Sequence, residues 1–116
     1  MGSFKHVANM LYPFFINPPS ISHTHNLFLQ VAVDLGIIGL VAWLALLGAV
    51  IHAAWRTYRH ATIIGDDWLR GLGLALLGSQ VALLVHGLTD VAVWVDTPTG
   101  ALVWGVWGLA LAAGRR

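Results

Sequence analysis

The chain has no cysteine, no glutamate and only four prolines. Without cysteine there is no disulfide framework, no thiolate nucleophile and no zinc site built on thiolates. Charged residues make up 9% of the 116 positions and hydrophobic residues 58%, which leaves too little polar surface to cover a water-soluble globule of this size. Composition therefore indicates a membrane protein. The formal net charge of +1 gives no electrostatic reason to expect nucleic acid or an acidic substrate. Met1 to Ser22 also lacks the basic start, apolar core and small-residue cleavage site of a signal peptide, so the first hydrophobic helix is expected to act as its own insertion signal.

Taken in order, residues 1–25 read as an extracytoplasmic loop or tail. Tyr12, Phe14 and Phe15 suit a headgroup region, and Pro18 and Pro19 prevent a continuous helix. Residues 26–116 read as an all-α unit of three transmembrane helices. Asn26 is the expected N-cap of the first, which runs to about Tyr58. Such a helix is roughly 48 Å long against a hydrocarbon core of about 30 Å, so its start is expected to project from the membrane. Ala61 to Trp68 is a polar connection, and Gly71 to Trp94 is the second apolar run. Gly71, Ala75 and Ser79 form one row of small residues there, and Gly78 and Ala82 another, a pattern that lets membrane helices approach closely. Asp96, Thr97 and Pro98 read as turn, cap and first position of a third, shorter helix ending near Gly114.

Basic residues orient the helices. Arg56, Arg59, Arg70, Arg115 and Arg116 fall on one side of this arrangement and only Lys5 on the other, which puts the arginines in the cytoplasm, the N-terminus out and the C-terminus in.

The polar residues of the apolar runs are the candidates for chemistry. His25 stands at the mouth of the first helix, and an imidazole, with an ordinary pKa of about 6.5, is suited to act as a general base near neutrality. The alternative is a histidine that caps the helix or bonds the loop. Asn26, Gln30 and Asp34, four apart, share one helix face and read either as a polar vestibule or as solvation of the helix near the surface. His86 and Asp90 lie in an apolar run, where ionisable groups face the bundle interior and mark either a substrate path or an internal i, i+4 pair. His23 and His25 need an extended backbone to share an ion and have no cysteine to supplement them, so no metal is expected, and no cofactor. His52 and His60 read as interfacial, and Gly36 and Gly39 as sites of close helix packing.

The stretch Ser22 to Leu40, with His25-Asn26, nine residues, then Gly36 and Gly39 flanking two isoleucines and preceded by Asp34, resembles the signature of the bacterial O-antigen ligase family and its related polymerases. His-Gly-Leu-x-Asp at His86 to Asp90 is similar to a pattern of the family's following helix. The resemblance implies a multi-pass protein of the bacterial inner membrane, active in lipopolysaccharide or cell-envelope polysaccharide synthesis. Its glycosyltransferases, regarded as metal-independent, move a glycan from undecaprenyl pyrophosphate to an acceptor glycan or lipid. It also implies that His25 is the base, supports a place for His86 and Asp90 at the substrate, and implies that this chain is a C-terminal portion, inactive without the missing N-terminal helices. With the vestibule of Asn26, Gln30 and Asp34, His86 and Asp90 are the expected substrate-binding residues. Family members hold the pyrophosphate with outward-facing arginines of earlier loops, and all arginines here are assigned to the cytoplasmic side. A small non-catalytic helix bundle or assembly partner in the lipid bilayer is the alternative from another class.

Straight helices give a geometric expectation. Counted from Arg56 and Arg70, Asp34 and Asp90 stand nearly level at about 33 and 30 Å, with His86 near 24 Å and His25 near 46 Å. His25 should then form a rim roughly 16 Å above a floor of Asp34, His86 and Asp90.

Overall fold

The computed structural model describes Met10 and residues 24–95 and 97–115. The expectations for Tyr12, Phe14, Phe15, His23, Asp96 and Arg116 fall outside these residues. The described chain is all-helical: α1, Leu27–Ile64; α2, Asp67–Gly87; α3, Ala92–Val95; and α4, Thr97–Ala113.

Asn26 caps α1 as its side chain predicts, with extended backbone (φ −147°, ψ 117°) and Oδ1 accepting from the Leu29 amide at 3.0 Å. The helix continues beyond Tyr58 to Ile64, where Gly65 takes a left-handed conformation (φ 72°) and its N–H bonds the Ala61 carbonyl. Only Gly65 and Asp66 separate α1 from α2. The polar connection expected over Ala61 to Trp68 is thus a tight helical hairpin, with Asp66 Oδ1 accepting from the Leu69 amide at 2.9 Å to cap α2. The second run ends as helix at Gly87, and the short helix α3 follows before α4.

The major departure from the straight-helix expectation is at Gly36. Its backbone (φ 71°, ψ −177°) is non-helical and lies in a region that residues with a Cβ essentially never occupy, so α1 breaks into two arms. Gly36 is a hinge rather than a packing site: a Cβ built on it meets nothing within 4 Å. The arms fold toward each other, and Phe28 of the first meets Trp43 of the second edge to face, ring centroids 5.8 Å apart.

The helices pack through glycines other than the expected rows. A Cβ on Gly73 would lie 2.7 Å from the Tyr58 amide nitrogen, one on Gly87 3.0 Å from Leu27 Cδ2, and one on Gly114 2.8 Å from Ala53 Cβ. Gly73, Leu76, Gln80, Leu83 and Gly87 form the buried stripe of α2. Gly71, Ala75, Gly78 and Ala82 are exposed, because the stripe facing α1 lies on the other side of the helix. The core joins Leu27, Val31, Trp43, Leu47, Val50 and Ala54 of α1 to Leu76 and Leu83 of α2 and Trp107 and Ala110 of α4. Inside it, Trp107 Nε1 donates to Gln80 Oε1 at 3.0 Å, which satisfies two polar groups in an apolar interior.

Leu27–Ile64 and Asp67–Gly87 are long and apolar enough to cross a membrane, yet only 28% and 22% of their most apolar windows are buried within the bundle. Pro98–Ala113 is apolar but shorter.

Candidate functional site

One end of the bundle gathers all the candidate residues. Because α1 folds at Gly36, its first arm lies against the far end of α2: Leu27 packs on Gly87, and Asn26 Nδ2 donates to the Leu88 carbonyl at 3.2 Å. Leu88 belongs to the turn between His86 and Asp90. The N-terminus of α1 is therefore tied to the segment carrying the second polar cluster, and His25 stands at the level of that turn. The rim roughly 16 Å higher that a straight helix implies does not form.

His25 has φ 52°, the left-handed region that residues other than glycine rarely adopt. Its neighbours hold it there. The Thr24 hydroxyl donates to the Asn26 carbonyl at 2.7 Å and accepts from the Asn26 amide at 3.3 Å, closing a small ring around His25. The Thr24 amide in turn donates to Gln30 Oε1 at 3.1 Å. The imidazole itself is exposed. A non-glycine residue in this region typically carries about 1–3 kcal/mol of strain, persisting where the surroundings over-determine it, as this turn does.

The expected stripe Asn26, Gln30 and Asp34 forms a connected chain. Gln30 is 1% exposed, so its amide needs partners: Oε1 accepts from Thr24, and Nε2 donates to Asp34 Oδ2 at 3.0 Å. The same oxygen accepts from Trp94 Nε1 at 3.0 Å. Asp34 thereby links the first arm of α1 to α3 across the polar end. Thr24 and Trp94 are absent from the residues singled out by sequence. An indole N–H in an apolar run signals that a partner exists, but nothing in the local spacing ties position 94 to position 34.

His86 and Asp90 form the i, i+4 pair their spacing allows, Nε2 to Oδ2 at 3.6 Å, with side chains 51% and 43% exposed. The pair straddles the end of α2 rather than lying inside a helix. Asp90 Oδ1 accepts from the Val91 amide at 2.6 Å, while the His86 carbonyl accepts from the Thr89 and Asp90 amides at 3.0 and 2.9 Å. Among the described residues no group of three or more His, Cys, Asp or Glu side chains is placed to hold a metal ion.

Chemically, this end offers an exposed imidazole on a stiff turn, an imidazole–carboxylate pair, and a carboxylate held by two nitrogen donors. Comparison of the chain with known protein families, with curated proteins and with solved structures finds no match.

Proposed function

We propose that this chain is the C-terminal portion of a glycosyltransferase resembling the O-antigen ligases, embedded in the bacterial inner membrane with its polar end outward. The membrane part of the reading is supported by the outward surface of the bundle. Ile37, Ile38 and Val41 of α1 and Leu102 of α4 are 70%, 83%, 60% and 72% exposed, large apolar side chains that water does not favour.

The single observation that carries the catalytic reading is His25: an exposed imidazole, its backbone fixed at φ 52° by the Thr24 and Asn26 bonds, at the mouth of an apolar helix. In the proposed reaction it takes the proton of an acceptor hydroxyl as that oxygen attacks the anomeric carbon. The bond to the undecaprenyl pyrophosphate oxygen breaks, and the electron pair leaves with the pyrophosphate. His86 and Asp90 lie at the same end to meet the acceptor. The leaving group's charge is met by arginines in earlier outward-facing loops of the parent protein, and the chain alone is expected to be inactive.

The test is transfer of glycan in a full-length parent carrying His25→Ala. A fall of about 10² to 10⁴ with unchanged abundance is the loss expected for a general base, and undiminished transfer ends the assignment.

A second reading, a non-catalytic membrane bundle serving in assembly, is favoured by a different observation: Asn26, Gln30 and Asp34 are engaged in bonds within the bundle. The reading frame upstream in the gene discriminates. Further hydrophobic helices and an arginine-bearing outer loop favour the enzyme, and a frame without them favours the bundle.

A further inference from the structure

The end of the bundle opposite His25 carries a second constellation, with no part in the transfer chemistry. A cavity of about 60 Å³ is lined there by Arg56, Thr57 and His60 of α1, Leu69 of α2, and Ala113 and Gly114 at the end of α4. All three long helices contribute to it. One water needs roughly 10–15 Å³ of such space, so the recess has room for about four oxygen-sized atoms, the number in one phosphate.

The charges around it are unbalanced. Arg56, Arg59 and His60 lie three and four apart on one face of α1, all exposed, and Arg115 follows Gly114. The neighbouring carboxylates are engaged elsewhere: Asp66 caps α2 through the Leu69 amide at 2.9 Å, and Asp67 pairs with Arg70 at 2.9 Å. Among the described residues the ion pairs are that one and His86–Asp90, so Arg56, Arg59 and Arg115 have no carboxylate at ion-pair distance. Guanidinium groups match phosphate oxygens geometrically. Toward the bundle centre the exposed surface is mostly hydrocarbon, with the exposed His52 one turn before Arg56 as the polar exception. Leu109, one turn before Ala113 on α4, is 50% exposed, and Ala49, two turns before Arg56, is also exposed.

A basic recess bordered on one side by exposed hydrocarbon calls for a ligand with an anionic head and an apolar body. We infer that the recess formed by Arg56, His60 and the end of α4 binds the phosphodiester headgroup of an anionic membrane lipid, whose acyl chains lie along Leu109 and Ala49. Basic pockets between membrane helices select such headgroups, and charges at the surface add to the attraction. The inference rests on the membrane reading above but not on His25 or on glycosyl transfer.

The test is native mass spectrometry of the full chain released from mixed bilayers holding equal amounts of phosphatidylglycerol and phosphatidylcholine. Phosphatidylglycerol adducts should dominate. Arg56→Gln with His60→Gln should lower them roughly tenfold, Arg56→Lys with His60→Lys should restore them, and Arg70→Gln, whose guanidinium is held by Asp67, should leave them unchanged. Both altered positions are exposed, so the fold is expected to survive. Equal adducts of the two lipids, or full retention in the glutamine variant, overturn the site. Displacement of the lipid by millimolar inorganic phosphate would show a free-anion site and overturn the lipid assignment. Alkaline carbonate extraction separates membrane insertion from lipid binding at this recess. Release of the chain from membranes ends the membrane reading and this proposal together, whereas a retained chain without phosphatidylglycerol adducts ends this proposal alone.

Discussion

Phe28 and Trp43 touch edge to face, with ring centroids 5.8 Å apart, although fifteen residues of straight helix would separate their backbones by about 22 Å. The contact exists because Gly36 lets α1 fold, and it extends into the core: Trp43 packs on Trp107 at 5.9 Å and Trp107 on Trp104 at 5.1 Å. Aromatic edge-to-face pairs contribute about 0.5–1.5 kcal/mol beyond their buried area. The folded arm is thus held by packing, and the same fold brings Asn26 to Leu88 and Asp34 to Trp94.

Gly36→Ala should open this hinge. There is room for the methyl group, so the penalty is one of backbone conformation, about 1–3 kcal/mol in this region. Spin labels at the exposed positions Leu29 and Leu44 should be closer in the native chain than in the variant, where the distance moves toward the roughly 22 Å of a straight helix. An unchanged distance distribution would show that the hinge does not depend on glycine.

Two glycines of α2 should respond in opposite senses. Gly73→Ala places a methyl group 2.7 to 2.9 Å from Tyr58 backbone and Cβ atoms, and backbone cannot rotate away. Destabilisation of about 1–3 kcal/mol is expected from overpacking. Gly78→Ala meets open space and should stabilise the helix by roughly 0.5–1 kcal/mol. Thermal unfolding in detergent reads both, and equal damage from the two would contradict the assigned packing face.

Trp107→Phe removes the donor to Gln80, whose side chain is 2% exposed, and should destabilise the bundle by about 1–3 kcal/mol through the stranded carbonyl. Gln80→Met strands the indole N–H in the same way. The double variant should lose less than the sum of the two single losses. Strict additivity in a denaturation cycle would mean that the bond contributes nothing.

Topology is checked by single cysteines at Thr62 and Thr89, both exposed, the first just before the start of α2 and the second just past its end. An impermeant thiol reagent should label position 89 in intact cells and position 62 only after permeabilisation. Labelling of position 62 from outside reverses the orientation that the arginines imply.

The helical class, the cap at Asn26, the apolar spans and the collection of arginines at one end were legible in the amino-acid sequence, because each depends on local propensity, run length or charge. The i, i+4 spacing of His86 and Asp90 allowed their pairing to be read from the sequence, but it is the turn after Gly87, not a continuing helix, that brings Asp90 back to His86. Which glycines serve as contacts was not legible. Gly71, Gly73 and Gly78 are alike as residues, and only the face that α1 occupies separates the buried Gly73 from the other two. Gly36 was recognised as part of a motif, but its role as a hinge depends on a backbone angle that glycine permits without requiring. From that one angle follow the level of His25, the reach of Asn26 to Leu88, and the bond between Asp34 and Trp94, sixty positions apart. Sequence supplied the polar groups through their chemistry; tertiary structure alone decided which of them meet, because a single break in a helix redirects every residue before it.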